Sequence, residues 1–437
     1  MKESQKIGLY TAMAVVIANM IGTGVFTSLG FQVVGIKSVF VLMLLWITGG
    51  ILAFCGAVSY AELGAVNPRS GGEYHFLSTI IHPALGFIGG WVSATVGFAA
   101  PVALAAITFG KYLQGVFPEL SATSLAIIVL VGVTYAHTHT VKSSGRFQRL
   151  FTAIKLLLIF GFIGGTLIFT PDPQAISILP KVGDGSLILG SAFAVSLIYV
   201  SYAYTGWNAA TYLINEMENP QKHLPIALGG GTLIVMSLYV LLNYSFLYAS
   251  PMSALENQVE VGYIAATFAF NENIAKLMGV VLALLLISTV SSMVFAGPRV
   301  IQVMGQDYPF FKALSKTNAN GVPVRAILIQ SGISLFFILT SSFDTILVFT
   351  GFVLGSATFL TVLSLLIHRW KFPDVQRPYK AFLYPLSPII YLILMGWTLV
   401  YLMIDKTEES LYGLGLAAIG LILYFIGNIG KTDKETE

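Results

Sequence analysis

The sequence predicts an all-α polytopic membrane protein of twelve transmembrane helices in a single domain, and three observations lead there. Of 437 residues, 56% are hydrophobic and only 10% are charged, where soluble domains carry about 25% charge. Apolar stretches recur that reach the roughly 20 residues a helix needs to cross the hydrocarbon core. The longest connections between them, near 63–84, 170–186, 250–271 and 305–322, are too short to hold a soluble domain.

In chain order the predicted spans are 7–33, 39–62, 85–112, 123–140, 148–169, 187–216, 225–249, 272–304, 323–341, 345–368, 384–403 and 411–429. The first is apolar on both sides of Gly22-Thr23-Gly24, so its glycines fall near the bilayer midplane. It lacks a small-residue cleavage site and outruns a signal core, so the amino terminus is expected to stay with the protein. The second span contains Cys55, the single cysteine. No intramolecular disulfide can form, and no disulfide-linked partner subunit is expected. The connection at 63–84, with Asn67-Pro68-Arg69-Ser70-Gly71-Gly72-Glu73-Tyr74, reads as a short segment packed on the bundle. The third span carries Ser93, Ala94, Gly97, Ala99 and Ala100, which either let helices approach or leave room for a ligand. The fourth ends on His137 and His139, with no acid or thiol beside them to complete a metal site. The fifth holds Lys155, the basic residue deepest inside a span. The sixth is interrupted at Thr205-Gly206, and the eighth carries Ser288, Ser291 and Ser292. The stretch 250–271 is read as a small helix over the external mouth.

Two interrupted helices separated by five spans are what a five-plus-five inverted repeat predicts, because corresponding helices break at the same depth. Residues 7–169 then form the first repeat, 187–368 the second, and 384–429 two additional helices. Lys and Arg concentrate in cytoplasmic loops. Placing both termini inside leaves only Lys37, Lys111, Lys181, Lys276 and Lys406 outside, with Lys155 within a span; Lys2, Lys142, Lys222, Lys431 and Lys434 are among those inside. This asymmetry accounts for the net charge of +3 without any nucleic-acid partner.

The breaks carry the chemistry. A peptide group in lipid has no water to bond, so an unwound stretch survives only where protein buries it or it lines a cavity. Opening at Gly22-Thr23-Gly24 frees N–H groups at a half-helix amino end and makes an anion seat. Stopping near Tyr204 frees carbonyls around Tyr202, Ala203 and Tyr204, where a cation is favoured. A zwitterion such as an α-amino acid fits both seats. The central portions of spans 1, 3, 6, 8 and 10 hold no Asp, Glu or Arg, so the ligand's side chain should be neutral. Lys155 either snorkels or points inward to freed carbonyls of span one and hydroxyls such as Ser288, Ser291 or Ser292, substituting for a bound sodium ion. Tyr202 and Trp207 are the aromatic candidates for gating.

Ile21-Gly22-Thr23-Gly24-Val25-Phe26, the segment from Tyr60 to Tyr74, and Ala203-Tyr204-Thr205-Gly206-Trp207-Asn208 followed by Glu216-Met217-Glu218-Asn219-Pro220 together resemble the amino acid–polyamine–organocation superfamily. Within it they resemble the L-type amino acid transporters and their bacterial relatives. The resemblance implies a LeuT-like fold with broken helices 1 and 6. It implies a substrate site of Ile21, Gly22, Thr23, Gly24, Tyr202, Ala203, Tyr204, Thr205, Gly206 and Asn208, with Tyr202 as lid and Lys155 facing inward. The family's gate is often Phe or Trp, so the Tyr202 hydroxyl is a departure. No thiol lies between spans three and four, where heteromeric eukaryotic members carry one, so a bacterial single-subunit protein of the plasma (inner) membrane is the better match. The expected function is sodium-independent transport of neutral L-amino acids by alternating access, as an exchanger. The alternatives are proton-coupled symport through Lys155 and a sensor that binds without transporting. No cofactor or metal is expected, and the span interiors offer no nucleophile or acid cluster for an enzyme.

Overall fold

The computed structural model describes residues 6–139, 145–318 and 321–428. Of the residues in the orientation argument, Lys2, Lys142, Lys431 and Lys434 lie outside these. Among the described residues the regular structure is helical apart from one isolated bridge, Ile7 with Met217.

The first interrupted helix is α1 (Leu9–Met20), a non-helical Ile21 to Thr23, then α2 (Gly24–Thr27) and α3 (Leu29–Gly35). Next, α4 (Val39–Val66) starts where the Ser38 hydroxyl accepts the Val41 N–H. The following connection forms α5 (Gly72–Ile80), packed against α6 (Pro83–Val92) and α17. Between α6 and α7 (Ala99–Val116) runs a π-helical turn, Ser93–Gly97, within the small-residue stretch of the third span. Just after it, the Ala99 carbonyl accepts the Ser334 hydroxyl at 2.8 Å. The first half closes with α8 (Ala122–His139) and α9 (Gly145–Phe169).

The sixth stretch is not one helix. It runs as α10 (Asp184–Ile188), α11 (Ser191–Ala203), a turn, and the 3-10 segment Ala209–Glu216. Then come α12 (Pro220–Ala249), α13 (Met252–Leu255), α14 (Val261–Ala269), α15 (Glu272–Asp307), a 3-10 turn (Pro309–Leu314), α16 (Val324–Thr340), α17 (Phe343–Lys371), α18 (Leu386–Asp405) and α19 (Thr407–Asn428). Among the described residues, 10 helices are long and apolar enough to cross a membrane. Against twelve expected spans, Ser191–Ala203 and Val324–Thr340 are apolar but shorter, the first because the turn after Ala203 cuts it.

The elements that frame the breaks are α12, which lies along α4 and carries α1, and α15, which packs on α7 and α9. Both ends of the described chain lie on one face. Ile7 pairs with Met217 there, and Gly427 faces Tyr308 at the end of α15. At the opposite face α13 and α14 pack on α3 and α2, where the Asn257 N–H donates to the Gly30 carbonyl at 2.9 Å. Buried Glu62, on α4, ties down the loop after α17. It takes a forked pair of bonds from Arg369 at 2.8 and 2.6 Å, an Arg377 contact at 3.4 Å and the Ala381 N–H at 2.6 Å.

Candidate functional site

The two breaks meet. A Cβ placed on Gly24 would lie 2.4 Å from the Ala203 Cα, and one on Gly206 would lie 2.7 Å from the Asn19 carbonyl. Gly206 also takes φ +101°, a conformation only glycine enters at little cost. Two glycines therefore let the backbones of the interrupted helices touch where each has lost its internal bonding.

At the first break the helical pattern fails after Met20. The Gly22 N–H turns back to the Met20 carbonyl at 2.8 Å, so the anion seat does not include that amide. The N–H groups of Thr23, Gly24 and Val25 donate to no backbone carbonyl among the described residues. Two carbonyls on the α1 side, those of Met20 and Ile21, accept from side chains. The buried Tyr239 hydroxyl donates to Met20 O at 2.6 Å, and the buried Lys155 ammonium donates to Ile21 O at 3.2 Å. Beyond the break, the Phe26 carbonyl takes the Tyr112 hydroxyl at 2.9 Å.

At the second break the Tyr202 carbonyl is not free: the Thr205 N–H and hydroxyl both donate to it, at 3.0 and 2.7 Å. The carbonyls of Ser201, Ala203 and Tyr204 accept no N–H among the described residues. Of the carbonyls expected to be free, Tyr202 is therefore bonded while Ala203 and Tyr204 are without a backbone donor, as is Ser201. Tyr202 is buried with its hydroxyl against Thr23, so it spans from the second break to the first. Tyr204 turns away, its hydroxyl donating to the Trp46 carbonyl at 3.2 Å.

Lys155 has a second partner, the Thr289 hydroxyl at 2.9 Å. Ser288, Ser291 and Ser292 do not serve it. Ser288 and Ser292 donate to carbonyls of their own helix, and Ser291 pairs with the His137 ring at 2.8 Å. His137 and His139 are not brought together, since His139 bonds Tyr135 and Thr138 instead. Asn208 is likewise directed elsewhere: its amide donates to Glu73 at 2.6 Å. Trp207 stacks edge-on against Tyr60, ring centroids 4.7 Å apart. Behind α11, Ser201, Tyr202 and Thr205 line a cavity of about 40 Å³ shared with α4, α17 and α18.

Burial differs on the two sides of the first break. Residues Gly24 to Gly30 are all buried, whereas α1 exposes Tyr10, Thr11 and Ala14. Tyr239, Tyr112, Thr289 and Glu73 had no assigned role in the sequence. With 20 tyrosines in the chain, nothing local marks the two that reach the break.

The arrangement brings two interrupted backbones into contact inside an apolar bundle, at Gly24 and Ala203. Residues 7–424 match the family model described as amino acid permease. The mouse large neutral amino acids transporter small subunit 2 is 29% identical over 97% of this chain and 81% of its own length. The mouse Asc-type amino acid transporter 1 is 27% identical over 97% and 81%, and the mouse b(0,+)-type amino acid transporter 1 is 26% identical over 97% and 88%. An apolar multi-helix bundle with facing breaks, matched nearly end to end by that model, is a multi-pass membrane transporter and not an enzyme: the chain belongs to the amino acid permease family, within the amino acid–polyamine–organocation superfamily.

Proposed function

We propose that this protein exchanges neutral L-amino acids across a cell membrane by alternating access around its two broken helices, without sodium. The observation that carries the reading is that three N–H groups, Thr23 to Val25, and three carbonyls, Ser201, Ala203 and Tyr204, have no backbone partner among the described residues and lie in the two segments that meet at the Gly24–Ala203 contact. The substrate carboxylate takes the first set, where the half-helix amino end adds positive potential, and its ammonium takes the second. Neutral specificity rests on the same neighbourhood: none of these seats holds a charged side chain that would pair with an ionic substrate. The three mouse relatives are named for amino acid transport, the nearest in identity of the three for large neutral amino acids.

Lys155 takes the place of a coupling ion. Its ammonium bridges the Ile21 carbonyl of the first break to Thr289 of α15, so α9 ties the break to the helix opposite. The exposed stripe of α1 and the burial of Gly24 to Gly30 support a state open on the face where α1 begins. Under the charge asymmetry that face is cytoplasmic. We read α11 with its 3-10 continuation, and α16, as the two further spans that complete twelve, with five-plus-five repeat symmetry and α18 and α19 added. The mouse relative of the highest identity quoted is a small subunit. Here Cys55, the single cysteine, is buried within α4, so no disulfide-linked companion is part of the proposal.

Proton-coupled symport is the second reading, favoured by one observation: both Lys155 partners are neutral oxygens, so no carboxylate holds its proton in place. Counterflow separates the two. Purified protein in liposomes preloaded with unlabelled amino acid should take up labelled amino acid, and empty liposomes should not. Uptake into empty liposomes driven by an inward proton gradient would overturn exchange, and binding with no flux under either condition would leave only a sensor.

A further inference from the structure

The segment after the second break ought not to hold its shape unaided. Ala209–Glu216 is a 3-10 helix of 8 residues, and such helices rarely exceed about 3–4 residues because their hydrogen-bond geometry is poor. Its support comes from Glu73, at the start of α5. That buried carboxylate accepts the Asn208 amide at 2.6 Å and the Tyr212 hydroxyl at 2.5 Å, both from this segment, and the Tyr60 hydroxyl of α4 at 3.0 Å. Among the described residues no cation pairs with it. An ionised carboxylate is an acceptor at both oxygens, so one residue satisfies three neutral donors from two elements at once.

The loop before it is shaped for the same contact. Gly72 takes φ +53°, and a Cβ there would lie 2.6 Å from the Tyr212 ring. Ser70 and Asn215 exchange bonds, Ser70 N–H to the Asn215 side chain at 3.4 Å and Asn215 N–H to the Ser70 hydroxyl at 3.1 Å. On its other side the segment bonds the entry to α1, through Ile7 N–H to Glu216 O at 2.8 Å and Glu218 N–H to Ile7 O at 2.9 Å. The segment therefore sits between a clasp on α4 and α5 and the start of the helix that carries the first break.

We infer that Glu73 is a positioning residue for transport: it anchors the post-break segment of the second interrupted helix to α4 and α5, and through the Ile7–Met217 pairing sets where α1 begins. Glu73 does not touch the substrate seats. Its loss therefore slows the conformational cycle more than it weakens binding.

The transport arm of the test rests on the exchange reading. In proteoliposomes, Glu73→Ala should lower the maximal exchange rate about tenfold or more with KM within about threefold of wild type, and Glu73→Gln should recover much of the rate by keeping one acceptor oxygen. The second arm is independent of transport. On a Cys55→Ala background, Ala210→Cys places a thiol at a position that is 0% exposed on the clasped segment. Its maleimide labelling in detergent should be several-fold faster with Glu73→Ala than without, and Glu73→Gln, run alongside, serves if the alanine variant does not fold. Wild-type rate together with wild-type labelling overturns the inference. So does a fall in apparent affinity with unchanged labelling. Should the unmodified protein exchange no amino acid, the transport reading fails and labelling alone decides the clasp.

Discussion

Substituting Gly24 by alanine tests whether contact between the two breaks is what forms the ligand seat. The added Cβ would lie 2.4 Å from the Ala203 Cα, 2.8 Å from its Cβ and 3.1 Å from its nitrogen, where ordinary contact begins at 3.4 Å. All three atoms are backbone or fixed to it, so the breaks must part by about 1 Å, at a cost of about 1–3 kcal/mol of overpacking. A donor near 2.9 Å from a carboxylate oxygen is carried to the edge of hydrogen-bonding range by such a shift. A bond to a charged group contributes about 1.5–3 kcal/mol, so apparent affinity should fall by about 10- to 100-fold. The assay is counterflow at varied substrate concentration, with the folded state checked by size-exclusion chromatography and thermal melting in detergent. Gly22→Ala is the internal control. A Cβ there meets nothing nearer than 3.9 Å, at the Met20 carbonyl, so that variant should keep KM within about threefold of wild type. Wild-type KM in Gly24→Ala, or equal losses in both variants, would refute the role given to the contact.

Replacing Lys155 by alanine removes the donor shared by Ile21 O and Thr289. Exchange should fall more than about tenfold while the amount of protein in the membrane fraction is unchanged; near-normal flux would dispose of the tether. Tyr239→Phe leaves the buried Met20 carbonyl without the 2.6 Å hydroxyl. A loss of about 1–1.5 kcal/mol is expected, read as a roughly tenfold lower exchange rate, and an unchanged rate would mean the Gly22 N–H, already 2.8 Å from that carbonyl, suffices alone. Glu62→Ala strands the Arg369 and Arg377 guanidiniums in a part-buried site. Breaking such a pair costs about 3–5 kcal/mol, so thermal stability in detergent should drop sharply, and an unchanged melting temperature would count against the network as a structural anchor.

Much of the fold and part of the site were legible in the chain. The glycine brackets and the apolar runs around them placed both interruptions, because the need to satisfy or bury a peptide group in lipid is local to a few residues. Which hydroxyl serves Lys155 was not legible. Ser288, Thr289, Ser291 and Ser292 are neighbours on one helix, and only the rotation of α15 selects Thr289. The destination of Asn208 was equally hidden: beside the break in sequence, its side chain turns to a carboxylate 135 positions away. The amide of Gly22 and the carbonyl of Tyr202 were expected to be free, yet a turn at each break closes on them, at Met20 and at Thr205. Those turns depend on backbone angles that residue types do not specify.

By itself the sequence determined that this protein lives in a membrane and that two of its helices open midway, since composition and glycine placement act within single helices. The tertiary structure decided that the openings touch at Gly24 and Ala203, which N–H and carbonyl groups lack a backbone partner, that Lys155 and Tyr239 reach the first opening from other helices, and that Glu73 clasps the segment after the second. Those contacts join residues far apart in the chain, and helix rotation and crossing, set by packing across the whole bundle, determine which side chains meet.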